Sequence, residues 1–166
     1  MYKKILVPLD GSEMAECSLE QAKAIALGCH VPEVVILSVI EPSAQGVPFL
    51  WGGAGEAQRQ DAKEIEKDRE QLAKMDKSAT ATAVNYVKKV ADGLVKDGVN
   101  AKTEVKQGKA ADTILEYANK NNFDLVIMSS HGHSGKSHFD FGKITDKIIH
   151  SSNIPVIITS PPGCRI

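Results

Sequence analysis

Short apolar runs alternate along the chain with longer stretches of helical spacing. The first run, Ile5-Leu6-Val7, sits within residues 4–9. Residues 34–40 (VVILSVI), Leu125-Val126-Ile127-Met128 and residues 156–159 (VIIT) repeat the texture. Unbroken apolar runs of this length predict strands of a parallel sheet, the first of them a central strand covered on both faces. Residues 102–106 (KTEVK) alternate instead, and predict a strand near a sheet edge. Four helical faces fall between the runs. They are Leu19, Ala22, Ile25 and Ala26; Val84, Val87, Val90, Ala91, Leu94 and Val95; Ala111, Ile114, Leu115 and Ala118; and Ile144, Ile148 and Ile149.

The punctuation agrees. Pro8 and Asp10-Gly11-Ser12 end the first strand, with Ser12 an N-cap for the first helix and Gly28 its stop signal. Pro42 closes the second strand, Gly98 ends the long helical region, Gly108 precedes the third helix, and Pro155 opens the last strand. Strand, helix and strand joined by short loops form right-handed βαβ units. The pattern predicts an α/β three-layer sandwich on a five-stranded parallel sheet, in one domain spanning 1–166.

One segment departs from it. Residues 43–80 carry a long loop and a charged helical insertion. The loop embeds Val47, Phe49, Leu50 and Trp51 among Pro, Gly and Ser; this cluster either folds back on the domain, covers a ligand or meets a partner. The helix that follows is a solvated one laced with i,i+4 ion pairs, with sparse apolar positions at Ile65, Leu72 and Met75. Whether Ser78-Ala79-Thr80 breaks it is open.

Composition narrows the function. A net charge of -1 gives no pull toward nucleic acid or anionic membrane. Aromatics at 5% supply no stacking platform for single strands. Cys17, Cys29 and Cys164 are odd in number and widely spaced, which fits a reducing compartment rather than a disulfide or zinc framework; Cys17 and Cys29 read as small core residues. No apolar run reaches the roughly 20 residues that span a bilayer, and the amino terminus does not read as a signal peptide, so a cytoplasmic location is expected.

The chemistry concentrates in residues 123–149, where an apolar run leads through a Gly-, Ser- and His-rich loop into a helix. Strand, glycine loop and helix N-terminus make an anion site, because the first amides of a helix are unpaired and its dipole is positive there. Ligands of parallel sheets lie at the carboxyl ends of strands, where the winding reverses; that rule gathers this loop, Asp10 and Val39 around one crevice. Residues 130–137 (SHGHSGKS) miss a P-loop by the leading Gly, and too little chain remains after them for a further strand bearing the Mg²⁺-binding Asp of those NTPases. His131, His133 and His138 lack ligand spacing, with Asp140 the nearby carboxylate, so no metal site is expected. Asp10 reads either as a turn residue bonding its own backbone or as a site residue.

KKILVPLDGSE, VVILSVIEP, DLVIMSSHGHSG and NIPVIITSP occur in order along nearly the whole chain. With these segments the chain resembles the universal stress proteins. The resemblance implies an adenine nucleotide alpha hydrolase-like fold with strand order 3-2-1-4-5. It also implies a homodimer paired through the last strand, and binding of ATP or AMP, with or without Mg²⁺. The family motif G-x-x-G-(nine residues)-G-[ST] places Ser129 at the first Gly, Gly132 at the second, Gly142 at the third and Lys143 at the Ser/Thr. Two of its four positions agree. By the same match Pro8, Leu9, Asp10, Val39, Met128 and Ser129 approach the adenine, ribose and α-phosphate. His131, Gly132, Ser134, Gly142, Lys143, Ile144 and Thr145 approach the phosphates. Ser129 adds a side chain where a close backbone is expected. Lys143 adds a cation that either meets a phosphate or marks an empty site.

No set of base, nucleophile and metal carboxylate stands out, so a regulatory nucleotide binder is expected, at most a slow ATPase. The alternative is a protein that has lost the nucleotide and works as a protein-interaction module.

Overall fold

The computed structural model describes residues 2–42, 58–130 and 141–160, and only the backbone over 58–66, 68 and 69. The elements are β1 (Lys4–Pro8), α1 (Glu13–Gly28), β2 (Glu33–Ile40), α2 (Gln58–Lys96), β3 (Ala101–Gln107), α3 (Ala110–Lys120), β4 (Leu125–Ser129), α4 (Lys143–Ser151) and β5 (Val156–Thr159). The strands form one sheet in the order β3-β2-β1-β4-β5, every neighbouring pair parallel.

The apolar runs are unbroken because successive side chains enter two different cores. Ile5, Val7, Val34, Ile36, Leu125 and Ile127 pack with Ala22 and Ala26 of α1 and Val87, Ala91 and Leu94 of α2. Leu6, Val35, Leu37, Val126 and Met128 pack with Ile114 and Ala118 of α3 and Ile148 of α4. Ile5, Leu6, Ile36, Leu37, Leu125 and Ile127 have no exposed surface, and each such burial is worth roughly 1.5–3 kcal/mol. The chain winds from β1 outward to β3, then crosses back to β4 beside β1. The winding therefore reverses between β1 and β4.

The two sheet edges differ in character. β3 carries Lys102, Glu104 and Lys106, which blunt an open edge. β5 is Val-Ile-Ile-Thr, half-buried at all four positions, and has no charge to deter pairing.

Glu33 clamps the first three strands at their amino ends. Its carboxylate meets Lys102 of β3 and, at 3.2 Å, Lys4 of β1. The Lys102 hydrogen bond, with Lys4 beside it, holds the Glu33 carboxyl below its ordinary range. A depressed pKa stabilises the fold above the unfolded value, and that contribution is lost as pH falls through the folded value. Lys102 is 62% exposed, so the contribution stays under about 1 kcal/mol. Glu33→Gln should lower the urea midpoint slightly at neutral pH and low salt, and the deficit should vanish in acid. A deficit that persists in acid would assign the effect to packing.

Several local expectations are revised. Ser78-Ala79-Thr80 does not break α2: the Thr80 and Thr82 hydroxyls donate to the Asp76 and Ser78 carbonyls at 2.7 and 3.0 Å, inside the helix. Val84 and Val95 are 45% and 53% exposed, because they lie 60–80° round the helix from the Val87–Ala91–Leu94 line. In α4 the buried residues are Thr145 and Ile148, while Ile144 and Ile149 are exposed. Gly28 is the last helical residue of α1, and the left-handed turn falls two residues later, at His30 (φ 54°). Cys17 and Cys29 are half-buried rather than core; Cys29 packs against the first core, and the Cys17 thiol reaches the Glu13 carbonyl.

Candidate functional site

Every strand of a parallel sheet leads into a helix whose N-terminus points back to the strand's carboxyl end. Where the winding reverses, two such ends diverge and leave a cleft. Here the cleft opens between β1 and β4. Pro8, Leu9 and Asp10 form its β1 side, Leu37 and Val39 come from β2, and Met128 and Ser129 from β4. Ala110 and Ile114 of α3, Ala15 of α1, and Gly142, Lys143, Ile144 and Thr145 at the start of α4 complete it.

Asp10 occupies the turn that starts α1. Its Oδ1 accepts from the Ser12 amide at 3.0 Å and the Ser12 hydroxyl at 2.6 Å. Ser12 Oγ in turn accepts from Ala15 N at 3.1 Å, capping the helix. Gly11, at φ +84°, makes this tight arrangement possible. Asp10 is thus a turn residue, as one reading of the sequence had it, and it also lines the cleft.

The start of α3 is equally specified. Gly108 has φ +145°, which strains any other residue, and a Cβ there would lie 2.5 Å from Thr113 Oγ1 and force that side chain aside. Its amide donates to the Ile40 carbonyl at 3.0 Å, and Ala110 N donates to Glu41 Oε1 at 3.2 Å. These bonds set Ala110 and Ile114 against the apolar wall made by Leu37, Val39 and Met128.

The opposite wall is polar. The chain leaves the sheet at Ser130, whose amide donates to the Thr159 carbonyl at 2.8 Å. It returns at Gly142, whose amide donates to the Ser130 carbonyl at 3.0 Å. Thr145 Oγ1 donates to the buried Ser129 carbonyl at 3.1 Å and pins α4 to β4. The α4 ladder begins with Asp146 N bonding the Gly142 carbonyl at 2.9 Å, and Gly142 makes no side-chain cap. The amides of Lys143, Ile144 and Thr145 are therefore the first three of a helix, the positions that have no partner in the helix ladder.

Gly142 is not needed by the fold. Its φ is -57°, open to any residue, and a Cβ would meet only the Ser130 carbonyl at 3.6 Å, an ordinary contact. Gly142 brings no side chain of its own to the start of α4.

Ten of the thirteen residues singled out in the sequence line this one cleft: Pro8, Leu9, Asp10, Val39, Met128, Ser129, Gly142, Lys143, Ile144 and Thr145. His131, Gly132 and Ser134 lie outside the described residues, as do His133, His138 and the Trp51 loop. Leu37, Ala110, Ile114 and Ala15 were not anticipated. Leu37 shares the strand face of Val39 two residues on, so it could have been found by periodicity. Asp10 is the carboxylate that the described lining supplies. Among the described residues no group of three His, Cys, Asp or Glu side chains gathers to hold a metal.

A doubly wound parallel sheet with a half-apolar, half-amide cleft at its switch point defines a class of nucleotide-fold proteins. The family model of the universal stress proteins matches residues 1–160, and the chain belongs to that family. It is 31% identical over 164 residues to the universal stress protein MJ0531 of Methanocaldococcus jannaschii, covering 98% of this chain and 84% of that one. It superposes on the structure of MJ0577 from the same organism with a TM-score of 0.76, at 28% identity and 96% coverage of each chain. An Arabidopsis thaliana universal stress family protein solved with AMP bound shares the fold, with a TM-score of 0.54 at 14% identity, over 95% of this chain and 91% of that one.

Proposed function

We propose that the chain binds an adenine nucleotide in the cleft between β1 and β4 and acts as a regulatory sensor rather than a rapid enzyme. The observation that carries this reading is the cleft's division into two chemistries. Val39, Leu37, Met128 and Ile114 offer an apolar slot suited to a flat base. The first amides of α4, beside an unencumbered Gly142, offer donors and a positive dipole end to phosphate. The enclosed volume is about 110 Å³, below the roughly 300 Å³ of a typical ligand pocket. Only the base would be enclosed, and the phosphates would lie at the open mouth along α4. Asp10, at the end of β1, would meet the ribose hydroxyls.

Lys143 follows Gly142 with its side chain exposed, at a helix end where a cation is disfavoured by about 0.3–1 kcal/mol. A bound phosphate relieves that repulsion, so the lysine supports the reading. Mg²⁺ enters it only as the ion that a nucleotide's phosphates carry. The AMP-bound relative supports the ligand class. A second copy pairing along the uncharged edge of β5 gives the homodimer.

Calorimetric titration with ATP and AMP, with and without Mg²⁺, tests the reading. Saturable binding of either nucleotide by the folded protein is expected. No heat up to millimolar nucleotide would retire the sensor and favour an interaction module.

A further inference from the structure

Among the described residues, three helices bring their first turns to the cleft: α1 through Ala15, α3 through Ala110, and α4 through Lys143, Ile144 and Thr145. Each amino end has amides outside the helix ladder and the positive pole of a dipole, which suits an anion. The chain treats the three ends differently.

Two of them already hold side chains of the chain itself. At α1 the Ser12 hydroxyl accepts from Ala15 N at 3.1 Å, and the Asp10 carboxylate accepts from Ser12 N at 3.0 Å. At α3 the N-cap residue is Lys109, which makes no side-chain cap. The cap comes from beyond the end of β2 instead: Glu41 Oε1 accepts from Ala110 N at 3.2 Å, 69 positions away in sequence. Asp112 adds a second acid to that turn and pairs with Lys147 at 2.6 Å.

The start of α4 is the opposite case. Gly142 makes no side-chain cap, and the first helical residue is the cation Lys143. The acid of its first turn, Asp146, lies with its carboxylate 3.5 Å from the His150 ring, one turn further from the amino end.

Glu41 is the unusual member of this set. A helix end is ordinarily capped by the residue just before it, as Ser12 caps α1. A serine or aspartate at position 109 would give α3 the same bond locally. The acceptor is supplied instead by an exposed carboxylate two residues beyond Val39, on the chain segment that leaves the apolar wall.

We propose that Glu41 sets the direction in which the nucleotide lies. Its carboxylate takes the place that a phosphate would take at the start of α3, and its charge turns other anions away from that end. The base is then left the apolar wall of Val39, Ala110 and Ile114, and the phosphates are left α4. Glu41 is thereby a positioning residue for the ligand, an assignment that rests on the nucleotide reading above.

Amide NMR titrations with inorganic phosphate and with AMP test it, on the wild type, Glu41→Gln and Glu41→Ala. Glutamine keeps an acceptor for Ala110 N and removes only the charge, so Glu41→Gln should melt with the wild type. A purely structural cap is rescued by glutamine; a guarding charge is not. In the wild type, phosphate should shift Lys143, Ile144 and Thr145 and leave Ala110, Ala111 and Asp112 nearly still. Glu41→Gln should raise the apparent phosphate affinity of the α3 amides about fivefold. Glu41→Ala should raise it further, because the Ala110 amide is freed as well. With AMP both variants should shift the starts of α3 and α4, where the wild type shifts α4 alone. A glutamine variant whose α3 amides respond no more than the wild type's makes Glu41 a cap only and overturns the proposal. A wild type whose α3 amides already respond like those of α4 overturns it too. The nucleotide reading fails separately, if AMP leaves the wild-type α4 amides unmoved while phosphate still tells the variants apart.

Discussion

Replacing Gly142 by aspartate should leave the fold intact and lower adenine-nucleotide affinity by about a hundredfold or more. The two halves of this expectation have separate origins. Gly142 is the N-cap of α4, with φ -57° and ψ 148°, a conformation that aspartate adopts freely. Aspartate is among the best N-caps and exceeds glycine there by a few tenths of a kcal/mol. Its Cβ has room, 3.6 Å from the Ser130 carbonyl. The folded state therefore gains or breaks even. The binding site does not. A carboxylate at this position consumes an amide that a phosphate would use and sets a like charge against it. Thermal melting beside nucleotide titration separates the two effects. A variant that binds as tightly as wild type would show that the start of α4 holds no phosphate.

Truncating Ile148 to alanine should cost about 3–4 kcal/mol, within the range for a buried isoleucine. For a chain of this size that lowers the melting point by on the order of 10 °C. Ile148 has no exposed surface and is the apolar anchor of α4, a helix of nine residues. The other attachments of α4 are the hydrogen bond from Thr145 to Ser129 and an exposed ion pair of Lys147 with Asp112 at 2.6 Å. A short helix with one fully buried apolar anchor should shift when that anchor is cut, so binding should weaken as well as stability. Ile149→Ala and Ile144→Ala are the controls, because both residues are exposed and each should change stability by less than about 0.5 kcal/mol. Ile144 also lines the cleft, so its truncation should touch binding alone. Equal destabilisation by all three would contradict the packing described.

That trio shows where sequence reasoning reaches its limit. Spacing identified α4 and marked Ile144, Ile148 and Ile149 as one face. Yet burial follows Thr145 and Ile148, because the helix is turned by the Thr145 hydroxyl reaching the Ser129 carbonyl. A hydrogen bond to a carbonyl sixteen residues earlier leaves no trace in hydrophobic periodicity. The same holds for Val84 and Val95, flanking residues that a stripe of valines draws into a single face. The strands were readable because the two cores together demand apolar side chains at successive central positions of β1, β2 and β4. Their order follows from the family resemblance rather than from any residue pattern.

The cleft was legible for a different reason. The rule that ligands gather at strand carboxyl ends needs only the strand boundaries, and Asp10, Val39 and Ser129 mark those boundaries in the sequence. Leu37, Ala110 and Ile114 escaped notice because their part is to wall the slot, and a walling leucine reads like any core leucine. Gly142 lines the cleft, and its φ of -57° is open to any residue, so the backbone does not require a glycine there.

The most direct test of the nucleotide site is an amide NMR titration of the full chain with AMP. Saturable shifts should appear together at Lys143, Ile144 and Thr145, at Val39 on the apolar wall, and at Asp10. Shifts confined to other surfaces, or none at all with the fold intact, would contradict it.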